Sequence, residues 1–336
     1  MERGKLIRAI KSARRQGKTP KLKGMDLRKI DLSGVDLRGA DLRQANLEGG
    51  KLSRASLIRA DLTGANLKGA DLLRTYLHGA KIDEADLSKI NLSGEKMETA
   101  SLIGSKLNGA DLRKTRLQWA KLKQADLHEA NLHQANLHGA SLGEVNLSQA
   151  ILRQADLSEA DLREANLHRA DLNKADLSGA NLQGADLSQA NFSRTNLERA
   201  NLQEVNLEGA RLFKANLHQA NLSGVTLNVA AKLDRLNLSQ ANLSKANLSE
   251  IDLSQANMNL ADLSEANLLG ATVTDEQLSN LKSFDGATMP DGSKYIAKET
   301  PPSPKDASDS KITERRKPSA SSLAASLARI KKDKGN

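Results

Sequence analysis

Six histidines are the side chains in this sequence best suited to chemistry, and each follows a leucine: His78, His128, His133, His138, His168 and His218. Three of them fall in the run HEANLHQANLH. Imidazoles at that density suggest a metal site, and zinc wants nitrogen ligands ~2 Å from a common point. Serine and aspartate are plentiful around them, the raw material of a nucleophile, base and orienting acid. Other chemistry is excluded at once. The chain has no cysteine, so it has no thiolate ligand, thiol nucleophile or disulfide framework. It carries neither a phosphate-cradling Walker loop nor a dinucleotide-binding glycine pattern. Whether the histidines converge depends on the elements that carry them.

Those elements follow from an internal repeat. Segments such as ADLRQ, ANLEG, ADLTG and ANLHR recur, each with a large apolar residue at its centre. From Leu22 to Leu227 a centre falls every five residues: 42 centres, 39 of them leucine, the exceptions being Ile82, Met97 and Phe192. One extra residue precedes Leu233, and the period then resumes to Val273, for 51 repeats in all. A helix turns ~100° per residue, so a five-residue period would spread the leucines over every face and form no stripe. The residue two before each centre is usually alanine, as at Ala40, Ala45 and Ala125. Apolar residues two apart on an extended segment point the same way. Asp or Asn usually stands between them, and two variable, Gly-rich positions follow. Each unit therefore reads as a short extended piece and a bend. Aromatic residues make up only 2 % of the chain, which argues against ordinary globular domains.

The unit A(D/N)LxX over residues 20–273 resembles the signature of the pentapeptide-repeat family. The resemblance implies an all-β fold: a right-handed quadrilateral parallel β-helix with four pentapeptides per coil and leucine inside. Short helical caps and a disordered tail would complete the chain. The expected organisation is a basic N-terminal cap helix at 1–19, the β-helix at 20–273, a C-terminal cap at 274–296 and a disordered basic tail at 297–336. Leu6, Ala9, Ile10 and Ala13 have helical spacing at the first end, and Thr274 and Gln277 have capping-box spacing at the other. Glu95 takes an inward alanine slot, where a lone carboxylate is costly, and a local distortion is expected there. On this fold His128, His133 and His138 lie on successive faces and diverge. His78, His138 and His218 share a face but stand whole coils apart. No catalytic residue, metal site or cofactor is expected, and the chain is read as not an enzyme.

Charge gives the remaining signal. The net charge is +9, but residues 1–24 carry +8 and residues 294–336 carry +6, leaving the rod at −5. One row of residues, each two after its centre, runs Gly34, Arg54, Arg74, Gly94, Lys114, Gln134, Gln154, Lys174, Arg194 and Lys214. Lys51, Arg113, Arg153 and Arg211 share its face, diluted by Asp31, Asp71, Asp111 and Asp171. An equivalent row, read as one face earlier, holds Glu84, Glu144, Glu164 and Glu204 and no base. Sorted charge of this kind keeps a rod soluble. It would equally form a docking stripe of Arg54, Arg74, Lys114, Lys174, Arg194 and Lys214 for an acidic partner.

Three function classes stand at this point. The first is a non-catalytic protein-binding scaffold, bacterial in style and cytoplasmic, with a homodimer through the C-terminal end as an option. The second is a DNA gyrase or topoisomerase modulator by DNA mimicry, as the resemblance implies for some members. It would need a strongly negative rod. The third is binding of nucleic acid or an anionic membrane through the basic ends, where scarce aromatics disfavour stacking on single strands. No apolar run is long enough for a transmembrane segment. The N-terminus lacks the apolar core of a secretory signal, while its basic character leaves an organelle-targeting reading open.

Overall fold

The computed structural model describes residues 2–227, 233 and 235–296. From Lys21 onward the chain is a solenoid. Isolated parallel bridges join residues twenty apart, Lys21 to Asp41, Asp41 to Asp61, Asp126 to Asn146, so four pentapeptides make one coil. Across the extra residue the step becomes twenty-one, as in Asn216 to Asn237 and Thr226 to Asn247. The segment before Leu233 that carries the extra residue, 228–232, lies outside the described residues. So does the tail expected at 297–336.

One repeat explains the motif. In Asp126 to Ala130, the Asp126 N–H donates to the Ser105 carbonyl in the coil below at 2.9 Å. Leu127 and Glu129 donate to Asn146 and Ser148 above at 2.7 and 3.0 Å. Ala130 closes a tight turn onto the Leu127 carbonyl at 3.0 Å. The remaining N–H, of His128, donates to the Asp126 side chain at 3.2 Å. All five donors are thus satisfied, and the fifth is satisfied only because Asp or Asn precedes the centre. The second residue after the centre has a left-handed backbone, φ 57° at Glu129. That requirement places many of the glycines there. Because the turn takes up most of each unit, only one residue per side bridges, and no long strand forms.

Inside, the centres and the alanines two before them are buried along the rod, with Leu127 and Ala130 fully enclosed. Side chains, not long sheets, fill the interior, so each coil is stabilised chiefly by its neighbours.

Helices close the two ends. Helix α1 (Arg3–Arg15) buries Leu6 and Ile10 against the first coil, whereas Ala9 faces solvent. The carbonyls of an end coil have no coil beyond to bond with. Arg3 Nε donates to the Asp31 carbonyl at 2.8 Å, and Arg14 donates to those of Asp36 and Arg38. Helix α2 (Asp275–Ser279) starts with a reciprocal capping box between Thr274 and Gln277. The Gln277 amide also donates to the Leu253 and Ala256 carbonyls at 2.7 and 2.8 Å. Leu278 and Leu281 are buried beneath it. An antiparallel bridge between Thr288 and Lys294 follows, with the Phe284 and Tyr295 rings 4.1 Å apart.

Candidate partner-binding surface

The histidines do not converge. Each points outward, and five of the six bond to the coil above. His128, His138 and His168 meet the hydroxyls of Ser148, Ser158 and Ser188 at 2.8 Å through Nδ1. His133 meets the Arg153 carbonyl at 2.9 Å, and His218 meets Ser239 at 2.9 Å. His78 lies 3.9 Å from the Glu98 carboxylate. They are rungs between coils, and the described residues contain no group of three His, Asp or Glu placed to hold a metal ion.

The basic row is a physical corner of the rod. Arg54, Arg74, Lys114, Lys174, Arg194 and Lys214 all occupy the left-handed turn position, with φ between 55° and 61°. All six are exposed. Coils stack at strand spacing, so successive members stand ~4.8 Å apart or at multiples of it. Counting twenty-one across the extra residue adds Arg235, exposed and with φ 56°. A fixed step of twenty misses it.

The rest of that face sorts into free and occupied cations. Arg113 is paired with Asp111 at 2.6 Å, and Arg153 is held by Asp171. Arg3 reaches Asp31 at 3.6 Å. Most acids that seemed to dilute the stripe are therefore neutralised locally. No ion pair forms at the seven corner cations among the described residues. Nearer the first end, Arg28, Arg38 and Arg43 fold back onto Asp26, Asp36 and Asp41. Their side-chain hydrogen bonds hold those three carboxyls down to about 2.

The acidic row needs correction. Glu84, Glu144, Glu164 and Glu204 lie ten residues, or two repeats, from the basic row. With four repeats per coil they occupy the opposite corner, not the neighbouring one. They are exposed there too, with Glu144 accepting from Lys123 at 2.9 Å and from Gln124 at 2.8 Å.

The family model for pentapeptide repeats matches in 8 copies over residues 21–54, 55–94, 110–149, 150–189, 190–228 and 231–270. The chain belongs to the pentapeptide-repeat family. The family is a non-catalytic one, and the outward side chains of this chain diverge around each coil. Among the described residues no helix is long and apolar enough to cross a membrane.

Several solved pentapeptide-repeat proteins are similar. HetL of the cyanobacterium Nostoc sp. strain PCC 7120, involved in heterocyst differentiation regulation, is 31 % identical over 85 % of this chain and 98 % of its own, with a TM-score of 0.18. A protein of the Arabidopsis thaliana thylakoid lumen is 27 % identical over 35 % of this chain and 69 % of its own, with a TM-score of 0.21. QnrB1, a plasmid-mediated fluoroquinolone resistance protein, is 23 % identical over 61 % of this chain and 92 % of its own, with a TM-score of 0.25. No curated protein matches.

Proposed function

We propose that this pentapeptide-repeat protein is a cytoplasmic scaffold of bacterial type, a right-handed four-sided β-helix whose basic corner docks an acidic partner protein. One observation carries the reading: Arg54, Arg74, Lys114, Lys174, Arg194, Lys214 and Arg235 stack along a single corner, exposed and without carboxylate partners among the described residues. The opposite corner carries Glu84, Glu144, Glu164 and Glu204. A rod polarised across its width orients an approaching partner as well as attracting it. Single exposed ion pairs contribute ~0–1 kcal/mol, so recognition belongs to the row and not to any one member. DNA mimicry fits poorly, because a cationic corner runs the length that a mimic would need to make negative. Binding through the basic ends is also weakened, since Arg3 and Arg14 are engaged in closing the first coil.

The test is salt dependence. Binding to an acidic partner should weaken from low to physiological ionic strength, as screening shortens to ~8 Å. Reversing Arg74, Lys174 and Arg194 together to Glu should abolish that dependence while leaving the melting curve in place. If the triple reversal changes nothing and deletion of residues 298–336 removes binding, the rod is only a handle for the tail.

A further inference from the structure

Three coils depart from the repeat both inside and outside, in the same place. Outside, the Asp or Asn slot of one face is taken in succession by Tyr76, Lys96 and Arg116. Their side chains cannot accept the backbone N–H two residues on, the bond that Asp126 supplies in the regular repeat. Inside, the alanine slot at the corner beside them is taken by Thr75, Glu95 and Thr115, all buried. The family model itself has a gap at 95–109. A repeat that only had to stack would keep Asp, Asn and Ala here, and local rules abandoned together mark a functional site.

The departure builds a surface. Between the two outward columns of this face lies an open hollow of about 420 Å³, lined by Ile58, Tyr76, His78, Lys96, Glu98 and Arg116. On either side the same slot carries the shorter Asp36, Ser56, Asn136 and Asp156. Glu98 sits low in the hollow and is held by Arg116 at 2.7 Å, whereas Lys96 forms no ion pair among the described residues. Trp119, the chain's one tryptophan, stands beyond the hollow at the far corner of the face, 55 % exposed. Its ring meets His138 edge-on at 5.0 Å. Tyr76 is 53 % exposed. In the same outward column as Glu98 and His138, Gln118 Oε1 is buried with no donor among the described residues. The near corner is the basic row itself, at Arg54, Arg74 and Lys114.

We infer that this hollow is the anchor point for an extended acidic segment of a partner protein, with one large apolar side chain seated between Ile58 and Tyr76. The inference rests on the reading of the basic corner and locates the partner along it. The chemistry fits in two respects. The apolar wall and the volume suit a single large side chain, at the lower end of ligand-pocket sizes of ~300–1,000 Å³. The unpaired cations at the rim suit acidic residues flanking that anchor. A nucleic-acid strand fits less well, because its phosphates would meet Glu98 on the floor.

The probes are two synthetic twelve-residue Asp/Glu-rich peptides, identical except for a central Phe or Ala, titrated into the full chain. The Phe peptide should bind ~10-fold more tightly, the effect of one buried aromatic anchor, and should shift the emission of Trp119. Tyr76→Ala should remove the difference between the peptides. Lys96→Asn, which restores the repeat's own residue and therefore keeps the fold, should remove a rim cation, weakening both peptides and preserving their ratio. Lys174→Glu with Arg194→Glu should weaken both peptides and preserve their ratio. Equal binding of the two peptides with unmoved Trp119 emission overturns the anchor and leaves the basic corner standing. If neither peptide binds, both readings fall. A twelve-nucleotide oligothymidylate that binds and quenches Trp119 where the peptides do not would also overturn the proposal, giving the face to nucleic acid.

Discussion

The Glu95 carboxylate accepts the backbone N–H of Arg74 at 2.7 Å, taking a bond that the regular repeat gives to the coil above. Arg54 and Gly94, in equivalent places, donate to the carbonyls of Leu73 and Arg113 at 3.0 and 2.8 Å. The parallel bridge that would join Asp71 to Asn91 is not formed, though its neighbours Asn66 to Asp86 and Tyr76 to Lys96 are. A single inward carboxylate thus opens one stitch of the ladder directly beneath the basic corner.

This arrangement has a pH signature. Burial raises the Glu95 carboxyl above its ordinary 4.5, against the bonds it accepts from Arg74 and Thr75. The folded chain therefore holds this proton more tightly than the unfolded chain. The group's contribution is most favourable below about 4.5, is lost as pH rises towards the folded value, and stays lost above it. Glu95→Gln removes the charge and keeps an acceptor. Its melting temperature should exceed that of the parent at pH 7.5, with the gap closing by pH 4. A parent that is more stable at pH 7.5 would mean the ionised form is the favoured one.

The slot before each centre makes a separate prediction. Asn146 accepts the Ser148 N–H at 3.2 Å and donates to Asp126 in the coil below at 2.9 Å. Lys106 occupies the corresponding position one coil below Asp126, and its ammonium can donate but cannot accept the N–H two residues on. Lys106→Asn should stabilise the rod and Asn146→Ala should destabilise it, each by ~1 kcal/mol, the net worth of a hydrogen bond. Urea denaturation measures both, and effects of the same sign would refute the role given to the slot.

Glycine is favoured at position 139 for two reasons. Its φ is 62°, and a Cβ there would overlap the six-membered ring of Trp119. Gly139→Ala should lower the melting temperature, and adding Trp119→Ala should recover much of the loss. The residue would come from the left-handed backbone, which costs a non-glycine residue ~1–2 kcal/mol. No recovery would mean that the ring is not the obstacle.

Leu127→Asp places a carboxylate in a fully enclosed site and should cost several kcal/mol. Long repeat arrays need not unfold as one unit, so hydrogen exchange is the better readout. Protection should fall first at the amides of Leu107 and Leu147, in the coils below and above. Uniform loss along the rod would show a single cooperative unit instead.

Much of this molecule was legible in the five-residue period. Leu22 to Val273 showed the inward and the outward positions, because an apolar residue at fixed spacing must face a common interior. The capping box at Thr274 and Gln277 was equally plain, since its bonds are local. The tertiary structure decided what lies next to what. Stacking at a step of twenty, then twenty-one, put the acidic row opposite the basic one, joined Arg235 to that row and turned the histidines into rungs. It also showed that Arg113 and Arg153 are occupied, while the side chains of Arg54 and Arg74 form no ion pair among the described residues. Tyr76, Lys96 and Arg116 looked like scattered exceptions until three coils laid them side by side. The reason is physical: a period fixes which way each side chain points, whereas the pairing of a side chain depends on neighbours a whole coil away.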